Sequence, residues 1–135
     1  MQVIMDTGPW VALIDRSETR HDECVTWLKR YRGDMLSTEA VLTEVLYLLD
    51  FSVFAQSAAL DFVLTGMVTL VPSSIESLAL AKRLMTKYHD LPMDFADATL
   101  VTIAHDLDVH DIVTFDTGHF SIYRFKRKKA FHILP

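Results

Sequence analysis

Five carboxylates fall where the surrounding residues are otherwise apolar. Asp6 closes the short run Met1-Gln2-Val3-Ile4-Met5 and is followed by Thr7-Gly8-Pro9. That run is too short for a helix and reads as a buried strand, from residue 2, that stops at the acid. Asp116 repeats the arrangement, closing Asp111-Ile112-Val113-Thr114-Phe115 ahead of Thr117-Gly118. Glu44 lies in Ala40–Leu49, where only Thr43 and Glu44 are polar, so this helix is expected to be largely buried. Asp94 and Asp97 precede the largely apolar Ala98–Ala104. Each acid has a local explanation. Asp6 and Asp116 suit turns, Asp94 with Asp97 fits an N-cap and its capping box, and Glu44 could share a wet strip with Thr43 or pair with an arginine.

Taken together they suggest chemistry. In a parallel α/β sheet, helix N-termini lie at the carboxyl edge of the strands, where ligands collect. Asp6 and Asp116 end strands at that edge, Asp97 stands in a first helical turn, and Glu44 lies about one and a half turns into its helix. The four can meet in one crevice, where their mutual repulsion calls for hard divalent cations such as Mg²⁺ or Mn²⁺. The reaction that uses such a cluster is phosphodiester hydrolysis, one ion activating water and a second, ~3.5–4 Å away, steadying the leaving oxygen. No convincing Ser–His–Asp or Cys–His arrangement competes with it.

The elements that must position these acids alternate. Helices are expected within Val11–Ile14, His21–Arg32, Thr38–Leu49, Phe51–Leu64, from Ser74 with Ile75, Leu78, Ala79, Ala81, Leu84 and Met85 as its stripe, and Asp94–Ala104. Strands are expected at Met35–Ser37, Met67–Val71, Asp111–Phe115 and Phe131–Leu134, besides the first. Thr38, Ser74 and Asp94 are suitable N-caps. Alternation of this kind predicts a three-layer α/β/α fold around a parallel sheet of about five strands.

At 135 residues, 50% hydrophobic and 23% charged, the chain is expected to form one packed domain, residues 1–135, rather than a disordered segment. Its net charge of -5 gives no support to a protein that simply coats nucleic acid, but a cation-filled acidic site would reverse its own local sign. The single Cys24 cannot form an internal disulfide. With no leader segment and no stretch apolar enough for a bilayer, a cytoplasmic location is expected.

The strand ending in Asp6, the helix carrying Glu44, the stretch Asp94-Phe95-Ala96-Asp97-Ala98 and the strand ending Thr114-Phe115-Asp116 resemble, in order and over essentially the whole chain, the PIN domain. More narrowly they resemble the VapC-type toxin ribonucleases. The resemblance implies a five-stranded parallel sheet, Mg²⁺- or Mn²⁺-dependent endoribonuclease activity on single-stranded RNA, homodimerisation and neutralisation by a cognate antitoxin. By position it makes Asp6, Glu44, Asp97 and Asp116 the catalytic and metal-binding acids, with Asp6 and Asp97 holding metal most directly. Thr114 would orient an acid or water, and Asp94 would be a cap or an outer acid.

Outside this set, Arg124, Lys126, Arg127, Lys128 and Lys129 form a basic cluster that could attract RNA backbone or simply be a solvated turn. Phe120, Tyr123 and Phe125 could stack on bases, although core packing is expected of Phe120. His119, three residues after Asp116, could contact substrate. Trp10, Trp27, Tyr31, Leu46, Leu49, Phe51 and Phe54 supply apolar surface to be divided between core, dimer face and antitoxin groove. The competing readings are an aspartyl-phosphate phosphatase, a phospho-receiver domain and a PIN-fold binding or regulatory module without nuclease activity. The phosphatase would want an acid where Gly8 stands, and the receiver wants paired acids where Met5-Asp6 supplies one.

Overall fold

The computed structural model describes residues 1–135. Its chain order is β1 (Gln2–Met5), α1 (Thr7–Ile14), α2 (His21–Arg30), β2 (Asp34–Ser37), α3 (Glu39–Leu48), α4 (Val53–Leu64) and β3 (Val68–Leu70). There follow α5 (Ile75–Lys87), α6 (Phe95–Leu107), β4 (Asp111–Val113), α7 (Thr117–Phe120), β5 (Arg124–Phe125), β6 (Lys129–Ala130) and β7 (His132–Leu134). The five strands β3-β2-β1-β4-β7 form one parallel sheet, in that order, flanked by helices.

Why this topology makes a crevice follows from the strand order. From β1 the chain winds outward through β2 to β3, then returns to place β4 on the other side of β1. Right-handed crossovers therefore put the connecting helices on opposite faces of the two halves, and the sheet opens at its carboxyl edge between β1 and β4. Met5 is in register with Val113, so Asp6 and Thr114 emerge side by side at that opening. The strands are apolar because both their faces are covered: Val3, Ile4, Met5, Ile112 and Val113 are all buried.

Helix starts follow local chemistry. The side chains of Thr38, Ser52, Ser74 and Asp94 accept backbone N–H groups at the starts of α3, α4, α5 and α6, and Ser74 with Ser77 completes a capping box. Helix α1 begins earlier than apolar spacing suggests, because Asp6 itself is its N-cap. The segment after Asp116 is more than a turn: it is the one-turn helix α7, capped by Asp116.

Three expectations need correction. Helix α3 is not buried all round: Val41, Leu42 and Val45 face the core, but Tyr47 is 74% exposed and Leu48 is also exposed. The stripe of α5 is rotated. Ala81 and Leu84 are buried, whereas Ile75, Leu78 and Ala79 are exposed. The run Arg124–Lys129 is neither a plain turn nor a coil but the antiparallel hairpin β5–β6, and Phe120, Tyr123 and Phe125 beside it are all core residues. Their rings pack on one another and on Tyr88 and Phe131, which leaves no face for a nucleobase.

Candidate functional site

At the switch point the ends of β1 and β4 are tied together by one hydroxyl. Thr114 Oγ1 donates to Asp6 Oδ2 at 2.7 Å and accepts from the Asp116 backbone N–H at 3.0 Å. Asp6 Oδ1 accepts from the Thr7 N–H at 2.8 Å, so both oxygens of this buried carboxylate are held. Two hydrogen bonds still leave lone pairs for a cation. Burial pushes Asp6 above the usual carboxylate range; its bonds from Thr114 and Thr7 oppose that, and the charges of Asp116 and Asp94 add to it.

Glu44 enters from α3. It has no arginine partner; instead Thr7 Oγ1 donates to its Oε2 at 2.9 Å. Partial burial is the main cause that raises its pKa, with Asp94 and Asp6 contributing repulsion. Thr7 is a residue that sequence reasoning passed over. Its signal was its place, directly after the acid that ends a strand, where α1 turns its first residue toward the crevice.

From α6, Asp94 and Asp97 separate their duties. Asp94 Oδ1 caps the helix by accepting the Asp97 N–H at 2.8 Å. The Asp97 carboxylate accepts no side-chain hydrogen bond; the Asp94 backbone N–H beside it works to lower its pKa. Burial first, then the charges of Asp94, Asp6 and Asp116, push Asp97 up to about 7. Asp94 thus faces the same crevice as the others rather than serving only as a cap, since its charge is felt by Asp6, Glu44 and Asp97 alike.

Asp116 comes from the start of α7. It caps that helix through the His119 N–H at 3.1 Å, and the His119 Nδ1 lies 2.7 Å and 2.8 Å from its two oxygens. His119 therefore meets an acid of the cluster directly. Tyr123, missed as a neighbour of the site, packs beside His119; burial and then Asp97, Asp116 and Asp94 raise its phenol.

The structure therefore brings Asp6, Glu44, Asp94, Asp97 and Asp116 into one electrostatic cluster, with Thr114 and His119 in direct contact with its members. No lysine or arginine forms an ion pair with any of these five acids. Nor do three His, Cys, Asp or Glu side chains close into a ready-made metal cage. Bare carboxylates in partly desolvated space repel, which holds them apart and favours their protonated forms. The donor set consists of carboxylate and hydroxyl oxygen, with no thiolate, and it fits a hard cation such as Mg²⁺ or Mn²⁺.

The fold has known relatives. The family model of the PIN domain matches residues 3–126. Ribonuclease VapC26 of Mycobacterium tuberculosis (strain ATCC 25618 / H37Rv) is 27% identical over 135 residues, covering 98% of this chain and all of the relative. Among solved structures, Mycobacterium tuberculosis VapC20, a sarcin-ricin loop cleaving toxin, superposes with a TM-score of 0.78 at 21% identity, covering 84% of this chain and 89% of that one. VapBC2 from Rickettsia felis, bound to a DNA fragment from its promoter, gives 0.67 at 16% identity over the full length of both chains. FitAB bound to the IR36 DNA fragment gives 0.64 at 17%, covering 87% of each. With its strand order, its cluster of acids at the switch point and a family match over nearly its whole length, this chain belongs to the PIN-domain family.

Proposed function

We propose that this chain is an endoribonuclease that hydrolyses phosphodiester bonds of single-stranded RNA with Mg²⁺ or Mn²⁺, and that it is the toxin of a type II toxin–antitoxin pair. The observation that supports the reading best is that five acids gather without a lysine or arginine partner, and that burial together with the charges of its neighbours raises Asp6, Glu44 and Asp97. Structural ion-pair networks neutralise themselves with basic side chains; these acids have no lysine or arginine to do so. The VapC26, VapC20, VapBC2 and FitAB similarities point the same way.

In this reading Asp6 and Asp97 hold the ion most directly, and Glu44 and Asp116 complete its surroundings directly or through water. A bound Mg²⁺ or Mn²⁺ supplies a lowered water pKa and stabilises charge on the leaving oxygen. The chain's own residues do the positioning. Thr114 and the Thr7 N–H fix the two oxygens of Asp6, Thr7 Oγ1 fixes Glu44, and His119 holds Asp116. Asp97, with no side-chain hydrogen bond to hold it, is the acid most able to move onto the ion. The N-termini of α1 and α6 open on the same edge and add positive potential for the substrate phosphate.

The same reading gives the partners. Helices α3 and α4 and their connection leave Tyr47, Leu48, Phe51, Val53, Phe54 and Leu64 exposed, an apolar surface suited to a homodimer face and an antitoxin helix. No helix is long and apolar enough to cross a membrane. With RNA as substrate, this reading assigns the protein's work to the cytoplasm. The test is cleavage of end-labelled single-stranded RNA by purified protein. Activity that depends on Mg²⁺ or Mn²⁺ and stops with a chelator supports the proposal; inertness of metal-loaded, antitoxin-free protein overturns it.

A further inference from the structure

A second charged feature lies away from the acids. Helices α5 and α6 and the β5–β6 hairpin enclose a cleft of about 400 Å³ whose walls carry Arg83, Lys87, Arg124, Lys126, Arg127 and His105 and no acid. In a chain of net charge -5 this is a marked local reversal of sign. Not all of these groups are free. The Arg124 Nη1 donates to the carbonyls of Ser121, Ile122 and Tyr123, and Lys126 lies 3.5 Å from Asp108, which also takes Lys129 at 2.6 Å. His105 Nδ1 accepts the Lys126 N–H at 3.3 Å. Arg83, Lys87 and Arg127 are exposed and have no acidic partner.

The hairpin tip holds its cations at a conformational cost. Lys126 and Arg127 have φ of 45° and 74°, a left-handed region in which turns favour Asn and Gly. Here both positions carry long basic side chains, and Arg127 faces the cleft. The cleft is also in line with the acids. Asp97, Val101 and His105 fall at i, i+4 and i+8 on α6, so the acid crevice and the cleft share one row of that helix, about 12 Å from first to last. Between them, Tyr123 lies beside the acids, and Tyr88, packed edge-on against it, accepts the Arg124 N–H through its hydroxyl oxygen at 2.9 Å and so positions the hairpin.

We propose that this cleft binds the phosphate backbone of the RNA a short distance along the strand from the bond that is cut, with Arg83, Lys87 and Arg127 as its contacts. The inference rests on the nuclease reading, and it adds to it where the substrate strand runs. Longer RNAs are gripped at both places; an oligonucleotide too short to reach the cleft feels only the acids.

The test compares the wild type with R83Q/K87Q and with R127Q, all surface changes away from the acids. Binding of a fluorescent single-stranded RNA is measured in chelator over a range of salt, and cleavage with Mg²⁺ is measured on long and minimal substrates. Single strands contribute about -0.7 to the salt slope per phosphate contact, so R83Q/K87Q should flatten the slope by roughly 1 to 1.5 and weaken binding about tenfold or more. R127Q should give about half that change in slope, and minimal-substrate cleavage should keep the wild-type rate for both. Wild-type protein that cleaves RNA while the variants keep its affinity and slope overturns the cleft but not the nuclease. Wild-type protein that neither binds nor cleaves overturns both. A poly-glutamate peptide bound through Arg83 and Lys87, with RNA affinity untouched, assigns the cleft to an acidic protein partner and also overturns the proposal.

Discussion

Thr114 and Asp6 lie 108 positions apart in sequence, yet the threonine hydroxyl donates to the aspartate at 2.7 Å across the opening of the sheet. That bond links β4 to β1 where the strand order reverses, and the same hydroxyl receives the backbone N–H of Asp116. One side chain thus sets the spacing of two acids.

Thr114→Val keeps the shape and removes both bonds. Cleavage should fall about 10–100-fold, the range seen when groups that orient metal ligands are lost. Stability should fall by about 1–3 kcal/mol, since Asp6 and the Asp116 N–H lose a buried partner. Initial rates and thermal denaturation check this; an unchanged rate would remove Thr114 from the site.

The raised pKa of Asp97 makes stability depend on pH in a definite sense. Its ordinary value is 3.8 and the fold lifts it to about 7, so the folded state binds that proton more tightly. The resulting contribution to stability is fully present below the ordinary value and lost as pH rises through about 7. In chelator, Asp97→Asn should therefore raise Tm by several degrees at pH 8 and by little at pH 4, where both side chains are neutral. Melting curves at several pH values decide it; equal stabilisation at both ends would place the effect elsewhere.

Proton release should accompany metal binding for the same reason. A cation needs the ionised form of Asp97, so Mn²⁺ affinity should weaken as pH falls below about 7. Calorimetric titration at pH 6 and pH 8 in matched buffers measures this. Affinity that is flat across that interval would show that Asp97 does not meet the ion.

The exposed apolar residues of α3 and α4 bear on assembly. Phe54 is 83% exposed and Leu48 also faces solvent, so Leu48→Lys with Phe54→Lys costs the isolated fold little. Analytical ultracentrifugation should show a dimer in the wild type and a monomer in the variant, with unchanged circular dichroism. A variant that remains dimeric would move the interface to another face.

The parts of this molecule legible in the sequence are those set by near neighbours. Strand β1, the caps Thr38, Ser74 and Asp94, and the alternation that forces a parallel sheet all come from local pattern. Long-range pairings carry no such mark, and the bonds from Thr7 to Glu44 and from Thr114 to Asp6 emerge only when the sheet forms. Helix α3 shows a second limit. Composition alone made it a buried helix, but an apolar side chain facing solvent and one facing the core are chemically the same, and Tyr47 and Leu48 are of the first kind. The hairpin was hidden because Lys126 and Arg127 occupy left-handed turn positions that Asn or Gly would have announced.

The central claim is that carboxylates from the end of β1, from α3 and α6, and from the start of α7 act together through a divalent cation. The most direct measurement is single-turnover cleavage of single-stranded RNA with Mg²⁺ or Mn²⁺, comparing the wild type with folded Asp6→Asn and Asp97→Asn. The account predicts wild-type cleavage abolished by chelator and restored by added metal, with each variant slower by at least about 10³-fold. Cleavage that persists in chelator, or in either variant at near the wild-type rate, would contradict it.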